Sequence, residues 1–288
     1  MRIPPADVIA KWPPSNYVDP VRRGPELFIA SSIFLGLATL AVAGRIYARL
    51  VVQRWFGLDD VFILIAFVTT LGVSGVVFFA TAHLDWDRHV WDVELDMIPP
   101  SLKAFFAVKI MWAISSSFIR LSLLAFYYRL LDHCQIHRFR WLLHAATTWH
   151  IALLLVYLFT TVLACLPIHA YWTFPAPAGS VCVSEASLMM IWGALNTFSE
   201  LVVALLPLPV VLRLHLTPRQ RFTVIALLSL GILVIGASCA RLFFLWRAFA
   251  SYDLTWWSNA HWICSEVEID AALICACAPA LRPVLASI

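Results

Sequence analysis

The chain has 288 residues, of which 62% are hydrophobic and 13% charged, with a formal net charge of +3. Soluble domains carry roughly half apolar and roughly a quarter charged residues, so a water-facing globule is excluded and a chain dissolved in lipid is indicated. So small a positive charge, with no basic stripe, also excludes nucleic acid as a partner.

Residues 1–25 are polar and Pro-rich and lack the compact apolar core and cleavage pattern of a signal peptide, so they read as a short extramembrane N-terminal tail. Residues 26–288 read as one all-α membrane domain. Seven apolar stretches of spanning length predict a seven-transmembrane-helix bundle, with helices at 26–48, 60–82, 101–129, 141–164, 186–212, 221–246 and 259–280. The second opens on Gly57-Leu58-Asp59-Asp60, where an Asp can cap free backbone N–H groups. The third follows Pro99-Pro100, and the fifth loses regularity near Pro207-Leu208-Pro209. Tyr17, Trp91, Trp172, Trp256 and Trp257 fall near helix ends, as interfacial anchors do.

Orientation follows from the basic residues of the short loops. Arg45, Arg49, Arg54, Arg129, Arg138, Arg140, Arg213, Arg219 and Arg221 fall on one side, against Arg88 and Arg247 on the other. The first side is therefore expected in the cytoplasm, with the N-terminus outside and the C-terminus, including Arg282, inside. Arg2, Lys11, Arg22 and Arg23 of the tail pull the other way but are outweighed by three consistent loops.

The outer loop at 83–98 carries Asp85, Asp87, Asp92, Glu94 and Asp96 with His83 and His89. Its spacing matches no metal motif, and a solvated acidic loop is the simpler reading. Of the seven cysteines, Cys134 is expected in the cytoplasm and Cys239, Cys264, Cys275 and Cys277 in helices. Cys165 and Cys182 bracket an outer loop, where an oxidising compartment permits a disulfide.

Ionisable residues at lipid depth carry the most information, because each costs several kcal/mol unless paired or wet. The acids are Glu200 on the fifth helix and Glu266, Glu268 and Asp270 on the seventh. The bases are Arg120 on the third helix and Arg241 on the sixth, with Lys109 nearer the end of the third. Asn196 lies one turn before Glu200 on the same face. Glu266 and Asp270 share a face, whereas Glu268 points about 200° from Glu266. The three cannot face one small cavity, and spacing leaves open which face turns inward. Glu266 also lies near enough to the outer interface to be wet.

In order along the chain, several segments resemble the fungal rhodopsin-like integral membrane domain family. They are Gly57-Leu58-Asp59-Asp60, Arg88-His89-Val90-Trp91-Asp92, Arg120 through Arg129, Cys165 with Pro167, Tyr171-Trp172 and Cys182. Asn196, Glu200 and Leu206-Pro207-Leu208-Pro209 follow, and the last block runs from Glu268 to Pro283. The family includes receptor-like proteins of plant-pathogenic fungi and members encoded in secondary-metabolite clusters. The chain departs from its pattern with Arg120 where Lys is usual and Glu200 where Asp is usual; both keep the sign of charge but change the reach. Receptor-like members carry a long cytoplasmic tail, so for a chain ending at Ile288 the resemblance implies a weak signalling role.

The family name suggests retinal, but the seventh stretch holds no Lys for a Schiff base, and the membrane-region lysines are Lys103 and Lys109 on the third. Neither retinal nor another cofactor is expected. Three roles compete for Arg120, Asn196, Glu200, Arg241 and Glu268: interhelical pairing, orientation of a small polar or anionic ligand in the bundle, and catalysis; a small lipophilic ligand or pathway intermediate is the expected partner. For catalysis, Glu200, Glu268 or Asp270 is the candidate, since a buried carboxyl that keeps its proton can deliver it to a lipophilic substrate. The leading expectation is a receptor-like or accessory membrane protein of fungal secondary metabolism or surface sensing. A membrane-embedded cyclase or isomerase comes second. A transporter comes third, because the halves show no repeat and no paired broken helices.

Overall fold

The computed structural model describes residues 5–131, 137–175, 177–206 and 218–285. Cys134, Arg213 and Pro207-Leu208-Pro209 lie outside them, as do the side chains of Arg138, Arg219, Arg221 and Arg282.

Lipid offers no partner to backbone N–H and C=O groups, so long apolar runs must close their hydrogen bonds internally as helices. Seven long helices form among the described residues. They are α1 (Glu26–Tyr47), α2 (Leu58–His83), α3 (Ile98–Leu131), α4 (His137–Val162), α5 (Glu185–Leu205), α6 (Pro218–Ser251) and α7 (Leu254–Leu285). Among the described residues, six runs are long and apolar enough to cross a bilayer: Glu26–Val52, Leu58–His83, Leu95–Arg129, Phe139–Val162, Glu185–Leu205 and Leu228–Ser251. The chain is thus a multi-pass integral membrane protein. α7 is not among the six, and Glu266, Glu268 and Asp270 crowd into its middle.

The helices pack in a closed ring in chain order, with α7 returning to α1, while α3 also reaches α5 and α7. Ile29, Ile33, Leu37 and Leu40 of α1 point outward, as a lipid-facing side should. Leu27, Ile63, Val73, Ile119, Leu124 and Leu273 fill the interior.

The end that carries the N-terminus is capped by loops. Strands β1 (Cys165–Leu166) and β2 (Val181–Cys182) pair antiparallel with Cys165 opposite Cys182, and the two cysteines form a disulfide. We expect the paired change Cys165→Ser and Cys182→Ser to cost about 3 kcal/mol of stability, the chain-entropy value for a loop of this length. Thermal melting of the purified variant, beside wild-type protein with and without reductant, checks it.

The loop after α2 is a solvated acidic surface only at Glu94 and Asp96. Asp87 and Asp92 are buried and hold the N-terminal segment down. Asn16 N donates to Asp92 Oδ1 at 2.9 Å, Arg23 N donates to the Asp87 carbonyl at 2.8 Å, and Arg22 pairs with Asp87 at 3.3 Å. His89 is sandwiched between Trp91 and Trp256, with ring centroids 4.5 and 3.9 Å away, and its Nδ1 lies 2.6 Å from Asp253. Two of the loop's acids, Asp87 and Asp92, are therefore used in docking, while Glu94 and Asp96 stay exposed, and no group of three metal-ligating side chains occurs among the described residues.

The opposite end departs further from expectation. Arg45 and Arg49, counted above as loop charges, are buried inside the bundle. A π-helical stretch, Ala48–Val52, continues α1. Arg45 donates to Asp60 Oδ1 at 2.8 Å and Asp59 Oδ2 at 2.7 Å, and Arg49 to the same oxygens at 3.1 and 2.8 Å. Arg45 also donates to the Ala276 carbonyl of α7 at 2.7 Å, and Ser122 of α3 donates to the Asp59 carbonyl at 2.7 Å. Asp60 Oδ2 does cap the Gly57 N–H at 3.0 Å, but both carboxylates chiefly neutralise the two guanidinium groups. This four-charge clip ties together α1, α2, α3 and α7.

Candidate functional site

Halfway along the bundle, four helices contribute one polar network. Helical spacing places Ser116 one turn before Arg120 on α3, and Asn196 one turn before Glu200 on α5, so each pair shares a face. Asn196 is the hub. Its Oδ1 accepts from Arg120 Nη2 at 2.7 Å and from Ser116 Oγ at 3.2 Å. Its Nδ2 donates to Glu200 Oε1 at 2.8 Å and to Glu268 Oε1 of α7 at 3.1 Å. Arg241 of α6 donates from Nε to Glu268 Oε2 at 2.6 Å and from Nη2 to Ser238 Oγ at 3.3 Å. Arg120 Nη1 stands 3.8 Å from Glu200 Oε1, a looser pair. Two positive and two negative side chains thus balance in the interior, where an unpaired charge would be prohibitive. Glu200 Oε2 and Arg120 Nε are buried yet accept or donate no hydrogen bond among the described residues.

Two cavities meet this network. The first encloses about 610 Å³ of empty space, counted out to its mouth. Its lining includes Lys109, Trp112, Tyr157, Glu185, Arg241 and His261. Arg241 sits against the Trp112 ring, 4.6 Å from its centroid. Lys109 Nζ donates to Glu185 Oε1 at 2.5 Å and to Tyr171 Oη at 2.8 Å, so the ammonium is already neutralised. Burial pushes the Tyr171 hydroxyl above its ordinary range, and Glu185 reinforces the shift, so it stays protonated. The second cavity, about 600 Å³ on the same measure, is lined by Ser116, Arg120, Leu123, Tyr127, Glu200 and Val203, among others. Both have aromatic or aliphatic walls and a few convergent polar groups, the chemistry of small-molecule sites.

All five residues expected at a ligand site, Arg120, Asn196, Glu200, Arg241 and Glu268, therefore converge. Asp270, a catalytic candidate from sequence, does not join them. It shares with Glu266 the opposite face of α7, and Glu266 is fully buried, not wet. The sequence reading missed Glu185 and His261 as cavity residues. Glu185 lies three residues beyond Cys182, and that closeness to the loop anchor was the available signal.

The chain matches the family profile described as the fungal rhodopsin domain over residues 44–287. It is 25% identical over 254 residues to Receptor GIN3 of Arthrobotrys oligospora, covering 87% of this chain and 60% of that receptor. It is 25% identical over 280 residues to the polyenoic acids biosynthesis gene cluster protein Ba17b of Metarhizium anisopliae, covering 91% of this chain and 74% of that protein. It is 29% identical over 176 residues to the satratoxin biosynthesis SC1 cluster protein 4 of Stachybotrys chartarum, covering 60% of this chain and 62% of that protein. The chain thus spans about 60% of the receptor's length. No solved structure matches.

Proposed function

Since the chain belongs to the fungal rhodopsin domain family, we propose that it is a receptor-like or accessory membrane protein of fungal secondary metabolism or surface sensing that binds a small lipophilic ligand inside its bundle. The observation that carries this reading is the cavity beside Trp112, Tyr157 and His261, whose wall holds the Arg241 guanidinium tied to Glu268. Aromatic walls suit an apolar body, and one fixed, compensated cation suits a carbonyl, hydroxyl or carboxylate on it. The names of the relatives, a receptor and two biosynthetic-cluster proteins, support either half of the role.

In this reading α7 is a seventh span. Its acids face the bundle interior rather than lipid, where each would cost several kcal/mol. The N-terminus and the disulfide lie at the same end of the bundle, and a disulfide favours an oxidising, non-cytosolic compartment. That supports an outer N-terminus and a cytoplasmic C-terminus. It does so without Arg45 and Arg49, which the clip consumes.

A second reading, a cyclase or isomerase, draws on Glu200. Its Oε2 has no hydrogen-bond partner among the described residues, and Glu200 lines the second cavity beside Arg120. An acid so placed can give a proton to a lipophilic substrate. Metabolite profiling of the source fungus with and without the gene separates the readings. For the receptor-like or accessory role, pathway output or a surface response changes on deletion, and membranes carrying the wild-type protein do not convert any intermediate that accumulates. If those membranes convert the intermediate to product and membranes with an equal level of folded Glu200→Gln protein do not, Glu200 catalysis replaces that reading.

A further inference from the structure

Glu266 and Asp270 are the carboxylates that the functional network leaves aside. Both are fully buried on the face of α7 that packs toward α1 and α2. One helical turn separates them, about 6 Å of rise, so their carboxylates can converge on one point. None of their four oxygens has a hydrogen-bond partner among the described residues. The nearby arginines are committed elsewhere: Arg45 and Arg49 to Asp59 and Asp60, Arg241 to Glu268. The buried hydroxyls of Ser31 on α1 and Ser74 on α2 turn toward Glu266 at the edge of hydrogen-bond reach.

We propose that Glu266, Asp270, Ser31 and Ser74 form a binding site for a hard, oxygen-seeking cation between α1, α2 and α7. Two carboxylates and two hydroxyls supply six oxygens, the donor set of sodium or calcium. Imidazole or thiolate would favour a transition metal, and no such cluster of three occurs among the described residues. The bound ion neutralises what would otherwise be uncompensated buried charge. The site draws three helices together beside the ligand network, so occupancy stiffens the half of the bundle that faces away from α5.

The test uses full-length protein in lipid nanodiscs at pH 8 and constant ionic strength, melted in choline chloride, in sodium chloride, and in choline chloride with calcium chloride. A saturable rise in melting temperature in sodium or calcium is expected, and which salt produces it names the ion. Ser74→Ala should shift the half-saturating concentration upward by about tenfold or more. Glu266→Gln with Asp270→Asn should abolish the rise. Should that double variant fail to fold, binding of radiolabelled sodium and calcium to wild-type protein decides, with one ion per chain expected. Identical melting in all three salts, or no bound ion on the wild type, overturns the proposal and leaves the acids as protonated core groups.

Discussion

Asp60→Ala is expected to lower stability by about 3–5 kcal/mol, the cost of removing one partner from a buried ion pair. Asp60 accepts from both Arg45 and Arg49, and the change leaves two guanidinium groups sharing Asp59 in a site closed to water. Natural domains hold only about 5–15 kcal/mol in reserve, so folded yield should fall sharply. The cost arises from charge imbalance rather than lost contact. Adding Arg49→Met should therefore recover much of the loss, because one guanidinium against Asp59 is again neutral. Fluorescence-detected melting in detergent reads both variants. Equal melting of Asp60→Ala and wild type would mean that water reaches the clip.

Glu268→Gln is the second large effect. The amide keeps an oxygen for Arg241 but removes the negative charge, leaving Arg120 and Arg241 against Glu200 alone. A loss of about 3 kcal/mol is expected, within the range for breaking a buried pair. The matched apolar replacement, Arg241→Met with Glu268→Leu, removes both charges and keeps volume. Buried pairs replaced this way are often neutral or stabilising. The matched variant should therefore melt within about 1 kcal/mol of wild type, while the single variant does not. That contrast separates the structural contribution of the network from what it does for a ligand.

Much of this was legible from sequence because two physical signals are strong there. Twenty-residue apolar runs have few alternatives to a spanning helix, and the helix bounds agree closely except at the end of α5, where residues 207–212 of the expected helix lie outside the described ones, and where α6 and α7 continue beyond their apolar cores. The cost of burying charge singled out Arg120, Asn196, Glu200, Arg241 and Glu268, which meet in one network. Helical periodicity gives only the relative angle of Glu266, Glu268 and Asp270. Which face turns toward α6 is fixed by packing, and Glu268 takes it because Arg241 lies there. Arg45 and Arg49 were misread because counting loop charges ignores where side chains point. Their spacing of one turn, opposite the adjacent Asp59-Asp60, was the overlooked signal. The docking of Asn16, Arg22 and Arg23 on the loop after α2 joins segments far apart in sequence and has no local signature.

In the proposed function the Arg241–Glu268 wall serves ligand recognition and is not merely a brace. The most direct measurement places the matched variant, Arg241→Met with Glu268→Leu, in the fungus lacking the gene, after confirming its melting temperature and membrane level. The metabolite or surface response lost on deletion is then followed. A folded, membrane-resident protein that fails to restore it is expected. Full restoration by the matched variant would rule out ligand recognition by this wall and leave the network a packing device alone.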